Sequence, residues 1–324
     1  MRHTEVAIAG GGLAGSVAAA MLGRAGIPAV VIDPHPVYPP ELRCEKLDSA
    51  QLAVLRRTGL ADAVLRAATP DTEAWVARLG RVVERRPGDQ HGILYDTLVN
   101  AVRAEVRPPA QFVCGKVTAA ATGPDRQIVT LADGEQVSAR LLVVANGLNI
   151  ALRHSLGMGR TELSRCHSVT LGFDLKPRGG ASFPFGSLSH YSERPADRTA
   201  YLTLFPVGAS MRANFMVYRD LDDPWLPQFK QAPEAVLLAT LPGLRKLLGD
   251  FEVVGPIKVR PADLYATTDY LQPGVVLVGD AFGTSCPAAG TGTGKVFTDV
   301  ERLCNVHIPR WLATDGMGVD KIAA

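Results

Sequence analysis

Along the first half of the chain, short unbroken apolar runs alternate with glycine turns and stretches of helical periodicity. Glu5–Ala9, Ala29–Ile32 and Leu141–Val144 show no polar alternation. Such runs predict strands buried on both faces of a parallel sheet covered by helices. The first run leads into Gly10–Gly12 and a helix over Leu13–Arg24, and the second ends at Asp33. After a Pro-rich loop from Pro34 to Pro40 comes a helix over Ser49–Arg57, with Leu52 and Leu55 on one side and Gly59 closing it. Glu73–Arg86 reads as extended chain ended by Pro87, Gly88 and Asp89. A helix over Asp96–Val106 then precedes strands over Phe112–Thr118 and Ile128–Leu131, the latter joined to Val137 through Asp133–Gly134.

From Ser168 onward the period changes to two. Ser168–Leu175, Ser187–Glu193, Arg198–Pro206 and Met211–Tyr218 predict a half-exposed antiparallel sheet, hence a second domain. A helical segment over Ala235–Leu248, a buried strand over Val275–Val278 and a final helix return the chain to the first fold.

Composition narrows the partners. The formal charge is +2, and Lys and Arg are scattered, so neither nucleic acid nor an anionic membrane surface is expected. Cys44, Cys114, Cys166, Cys286 and Cys304 are odd in number and show no CxxC spacing. That argues against a zinc site or redox dithiol and fits a reducing, cytoplasmic setting. Val6–Leu22 is apolar but interrupted by Gly10, Gly11 and Gly12, which disfavours a signal peptide, and no apolar run reaches the ~20 residues of a membrane span.

The strongest chemistry lies in Gly10-x-Gly12-x-x-Gly15, set between strand and helix with Asp33 ending the next strand. Gly10 permits a tight turn, Gly12 lets a pyrophosphate approach the backbone, and Gly15 lets the helix lie close to the strand. Unpaired N–H groups at the helix start, Leu13 and Ala14, would face the phosphates, while Asp33 would accept from a ribose hydroxyl. This motif alone does not separate NAD from FAD.

A second motif does. Gly279-Asp280-Ala281, followed by Pro287, Gly290, Gly292 and Asp299, resembles the second FAD signature of the flavoprotein monooxygenases typified by para-hydroxybenzoate hydroxylase, and of related flavin-dependent halogenases and geranylgeranyl reductases. The resemblance implies that Asp280 meets the ribityl and pyrophosphate region. It also implies that the turn from Pro287 through Gly290, Thr291 and Gly292 opens a helix aimed at the flavin pyrimidine ring. Independently of any family, Asp280 follows an apolar strand, where strand ends face a ligand crevice. Arg43 resembles an arginine that touches FAD in this family, a salt-bridged loop arginine being the alternative. Val117 resembles a strand residue whose backbone meets the adenine, and Tyr201–Pro206 resembles a strand that passes the flavin.

The fold so implied is α/β: a Rossmann-like FAD-binding domain of the glutathione-reductase type (1–73, 92–160 and 256–324) interleaved with an antiparallel-sheet substrate domain (74–91 and 161–255). The activity implied is an FAD-dependent monooxygenase reaction on a small organic substrate, through a flavin hydroperoxide, with non-covalent FAD and with NADPH or NADH as electron donor. A flavin-dependent reductase of an isoprenoid or lipid double bond, and a flavin-binding protein without turnover, stand as alternatives. No nucleophile triad or metal cluster is expected, and no catalytic residue is assigned. His190, Tyr191, Tyr201 and Arg212 are candidate substrate-facing groups on the second sheet, with surface or packing roles as the alternative.

The chain departs from that family at several positions. Asn146-Gly147 stands where Asp-Gly is usual in a motif linked to NAD(P)H handling, Tyr95 where an arginine is common, and Gly294 where an asparagine is usual. The tryptophan-containing halogenase motif is absent, which disfavours halogenation.

Overall fold

The computed structural model describes residues 1–180 and 182–323. Its first layer is a seven-stranded sheet built on the buried apolar runs. Arg2–Ala9 lies between parallel neighbours, Val6 standing opposite Ala29 of Ala29–Asp33 on one side and Leu141 of Gln136–Val144 on the other. Ala110–Cys114 continues the parallel edge, and Val275–Leu277 pairs in parallel with the end of Gln136–Val144. Two antiparallel strands, Gln127–Leu131 and Val117–Ala121, complete it.

Helix Leu13–Arg24 is buried from Leu13 through Gly23. Its small residues let it sit between the sheet and the helices Tyr95–Arg103 and Gly292–Arg302. Among the described residues, no helix is long and apolar enough to cross a membrane.

The second layer is also seven-stranded, in the order Phe251–Thr268, Gly159–Pro177, Ser210–Val217, Thr199–Val207, Ser187–Tyr191, Glu73–Arg78 and Arg81–Pro87. Only Ser187–Tyr191 and Glu73–Arg78 run parallel. Period two gives this sheet two different faces. Leu171, Phe173, Leu204 and Phe215 pack against Phe229 and Leu237 of the covering helices. Each such buried side chain contributes roughly 1.5–3 kcal/mol, which holds the helices in place. The opposite face carries Tyr201, Phe205, Arg212 and Asn214 toward the first layer.

Several elements differ from the sequence expectation. The single strand over Phe112–Thr118 is two, Ala110–Cys114 and Val117–Ala121, at opposite edges of the sheet. The chain crosses at Gly115, where a Cβ would lie 2.7 Å from Leu131. Extended chain over Glu73–Arg86 is a hairpin turning at Leu79 and Gly80, both at positive φ. The helix over Ala235–Leu248 breaks near Pro242, leaving Pro233–Thr240 and Arg245–Leu248, because proline lacks the donor that continuation requires. Helix Trp225–Gln231 and the long strand Phe251–Thr268 were not anticipated. Gly255, Pro256 and Pro261 mask that strand, whose pairing with Gly159–Pro177 is correspondingly irregular in register.

Candidate cofactor site

Both sequence motifs converge on one cavity of about 420 Å³. Gly10, Gly12, Leu13, Ala14 and Asp33 line it from the first motif, Asp280 from the second, with Arg43 and Val117 between. Tyr38, Tyr95, Lys116 and the loop Asn146–Asn149 supply the remaining walls.

Gly12 precedes helix Leu13–Arg24 at an ordinary φ of −69°, and no side chain caps that helix. A Cβ on Gly12 would meet nothing nearer than Tyr38 Cε2 at 3.9 Å. Nothing in the protein itself therefore requires glycine there, and the cleared approach to uncapped N–H groups suits an anionic ligand. Gly15 does not line the cavity. Its Cβ would stand 1.8 Å from the Gly10 carbonyl oxygen, so its part is in helix packing.

Asp33 is fixed from several sides. Its Oδ2 accepts from Gly11 N at 2.8 Å and its Oδ1 from His35 N at 2.9 Å, with Arg103 Nη2 at 3.2 Å. Arg103 also donates to the carbonyls of Gly11 and His35, and so braces the turn. Sequence reading missed Arg103, whose only signal was a cation in the last turn of Tyr95–Arg103.

Arg43 bridges the two motifs, its Nη1 lying 2.8 Å from Asp280 Oδ2. The salt-bridged alternative for Arg43 is thus what the side chain does, within the cavity wall. Its Nε lies 2.9 Å from Glu41, which also accepts from Tyr38 Oη at 2.7 Å and Arg260 Nη1 at 2.5 Å. An alternating chain, Arg260, Glu41, Arg43 and Asp280, thereby ties the second sheet to the cavity. Burial pushes the Tyr95 phenol up to about 12. For Glu41, burial alone would raise the pKa, but hydrogen bonds from Arg43, Tyr38 and Arg260 and the charge of Arg43 outweigh it and hold the carboxyl at about 2.

A carboxylate depressed in this way stabilises the fold above its ordinary pKa of 4.5, and that contribution is lost as pH falls toward about 2. Glu41→Gln is therefore expected to lower the melting temperature at neutral pH, with the gap to wild type narrowing below about pH 4.5. A gap that stays constant on acidification would contradict this account.

The second motif is held by its own contacts. Asp299 Oδ2 accepts from Gly279 N at 3.1 Å and from Lys295 Nζ at 2.6 Å. Gly279 has φ +61°, and its Cβ would press on Val296 at 3.1 Å. Pro287, Gly290, Thr291 and Gly292 lie outside the cavity lining. Their turn is tethered by Tyr201 Oη donating to Ala288 O at 2.7 Å and Gln51 Nε2 donating to Gly290 O at 2.9 Å. Arg153, only 2% exposed, joins the Asn146–Asn149 loop to this motif by donating to the carbonyls of Gly147, Asn149 and Ala281. Among the described residues, Asn146 Oδ1, buried beside the cavity, has no hydrogen-bond partner.

The candidate substrate-facing groups divide. Arg212 is bound to Glu45 and Asp174, Tyr191 lies under Arg78, and His190 is fully buried. Tyr201 is the one of the four that reaches the second motif.

A parallel sheet with a glycine turn, an uncapped helix start and an acid at each strand end around one cavity defines a two-segment dinucleotide-binding flavoprotein. The chain belongs to the FAD binding domain family, whose model matches residues 3–306. It is 26% identical over 327 aligned positions to 3-demethoxyubiquinol 3-hydroxylase of Escherichia coli (strain K12), covering 94% of this chain and 80% of that protein. It is 32% identical over 180 positions to 3-amino-4-hydroxybenzoate 2-monooxygenase PtnB3 of Streptomyces platensis, 52% of this chain and 45% of the relative. The fold matches that of p-nitrophenol 4-monooxygenase PnpA from Pseudomonas putida DLL-E4 with a TM-score of 0.74 at 17% identity, over 96% and 82% of the two chains. This chain is an FAD-dependent oxidoreductase.

Proposed function

We propose that the protein is a monooxygenase that hydroxylates a small, electron-rich aromatic molecule, drawing electrons from NADPH or NADH. The relatives named above act, by name, on a demethoxyubiquinol and an aminohydroxybenzoate, both rings rich in electrons. The observation that carries the reading is the shared cavity: Gly12 and Asp280 come from opposite ends of the chain and line the same space. Bound FAD supplies the redox chemistry, accepting hydride and activating dioxygen.

The protein's own groups bind and orient. The N–H groups of Leu13 and Ala14, beside the open side of Gly12, would hold the cofactor's diphosphate. Asp33, held by Gly11 and Arg103, would accept from a ribose hydroxyl of the cofactor, and Val117 would help hold its adenine. Asp280, aligned by Arg43, would accept from the ribityl chain. Asn146 offers a neutral amide to the cofactor where relatives of the hydroxylase type carry a carboxylate. The turn from Pro287 to Gly292, fixed by Tyr201 and Gln51, would supply main-chain N–H groups to the flavin ring. The inner face of the second sheet closes over the substrate and keeps out water that would uncouple the reaction.

An anaerobic titration tests this. The purified protein should be yellow, and NADPH or NADH should bleach the flavin band. Admitting oxygen with an accepted substrate should restore the band and form hydroxylated product. Product formed equally well without oxygen would refute the monooxygenase reading, and a colourless protein that refuses FAD would refute the site.

A further inference from the structure

Lys321 lies on the short helix Val319–Ala323, which folds back on the turn after helix Ile308–Leu312. Its Nζ stands 3.0 Å from Trp311 O, 3.0 Å from Thr314 O, 2.7 Å from Thr314 Oγ1, 2.9 Å from Asp315 O and 2.8 Å from Gly316 O. An ammonium carries three protons, so five oxygens are more than its donors can each engage singly. Such a ring surrounds a charge rather than pairing with N–H bonds.

The chain forms this ring for local reasons. Trp311 O is one of the carbonyls that a helix end leaves without an intrahelical partner. Gly316 turns the chain at φ +73°, a conformation that glycine adopts freely. The first sheet then holds the turn from outside. Arg140 donates to Leu312 O and Thr314 O, Met317 N donates to Pro124 O, and Met317 O accepts from Gly274 N at 2.7 Å. Gly274 leads into Val275–Leu277, so the filled ring braces the strand that carries Asp280.

The oxygens also define what they suit. All five are carbonyl or hydroxyl oxygens, and none brings the negative charge that would offset a divalent ion. Their distances of 2.7–3.0 Å exceed the range of about 2.3–2.6 Å for calcium and about 2.0–2.1 Å for magnesium. Neutral carbonyl rings are the means by which potassium filters replace the ion's hydration shell.

We propose that residues 311–316 form a binding site for a large monovalent cation, potassium or ammonium, which the protein fills with the tethered ammonium of Lys321. The tether gives Lys321 an effective concentration of about millimolar or more, so the wild-type site holds its own cation whatever the salt. Removing that ammonium leaves the oxygens in place for a free ion. The proposal stands apart from the flavin chemistry and does not depend on it.

The test compares holoenzyme of the wild type and Lys321→Met, melted in potassium, ammonium, sodium, lithium and choline chlorides at equal ionic strength. Taking the gap between the two proteins in each salt cancels general salt effects. The variant should melt about 3–6 °C below wild type in choline, lithium and sodium. In potassium or ammonium the gap should shrink by at least half, saturating with concentration. Adding Thr314→Val to the variant deletes one oxygen and should raise the potassium concentration required by about 2- to 10-fold. A crystal of Lys321→Met grown in rubidium chloride should show anomalous scattering from rubidium among the five oxygens. The proposal is overturned by a gap that is the same in every chloride, by one that closes equally in all of them, by failure of the variant to fold in potassium, or by a crystal with no rubidium in the ring.

Discussion

Replacing Gly15 by alanine is expected to cost about 3 kcal/mol or more of stability and to reduce FAD affinity on the order of 100-fold. The added methyl would stand 1.8 Å from the Gly10 carbonyl and 3.1 Å from Ile8 Cγ2. Gly10 cannot retreat. Its N–H bonds Ile32 O at 2.9 Å, its φ is +107°, and it packs against Ala145, whose carbonyl oxygen lies 2.6 Å from where a Cβ on Gly10 would stand. The helix must move instead, although it is buried on every side from Leu13 to Gly23. Its first N–H groups then leave the position they need for the diphosphate. Gly12→Ala provides the contrast, because its methyl enters open space at negative φ. Stability without cofactor should stay within about 0.5 kcal/mol of wild type while FAD affinity falls. Urea denaturation of the apoprotein and fluorescence titration with FAD separate the two. Equal stability loss in both variants would show that Gly12, too, is needed for packing alone.

Removing Glu45 should be the most damaging single charge deletion, costing about 3–5 kcal/mol. Arg212 grips this carboxylate with two hydrogen bonds, Nε at 2.7 Å and Nη2 at 3.0 Å, and Asn214 adds a third at 2.7 Å. For Arg212, burial works against the charge, yet the hydrogen bonds and charge of Glu45 outweigh it and the guanidinium pKa is raised. Glu45→Ala strands that cation with only the partly exposed Asp174 at 3.3 Å. The double variant Glu45→Met with Arg212→Met should regain most of the loss, since it removes the buried charge along with its partner. Denaturation of Glu45→Met, Arg212→Met and the double variant yields the coupling energy. Single variants that cost under about 1 kcal/mol would mean the seam is wetter than its geometry implies.

Local signals made the first layer readable. The run from Glu5 to Asp33 holds two of its seven strands with the glycine turn and helix between them, all within one short stretch. Asp280 was equally accessible because a strand end plus a glycine-rich turn is a contiguous feature. The second sheet gave its period but not its orientation. Alternation along Thr199–Val207 places Tyr201 and Phe205 together, yet cannot say whether they face helices or cofactor. Arg103, Glu41, Arg153 and Arg260 escaped notice for a related reason. Their partners lie far off in sequence, and an arginine on a helix or loop looks the same whether it braces a turn or points into water.

The Arg260, Glu41, Arg43 and Asp280 chain has a consequence for how the protein is made. A ribosome releases Glu41 and Arg43 early, yet the cation that holds Glu41 emerges only within the last strand of the second sheet, and the acid that aligns Arg43 only after it. The nascent chain must therefore carry an unfinished cradle through most of translation, and loading of the cofactor belongs among the last events of its maturation.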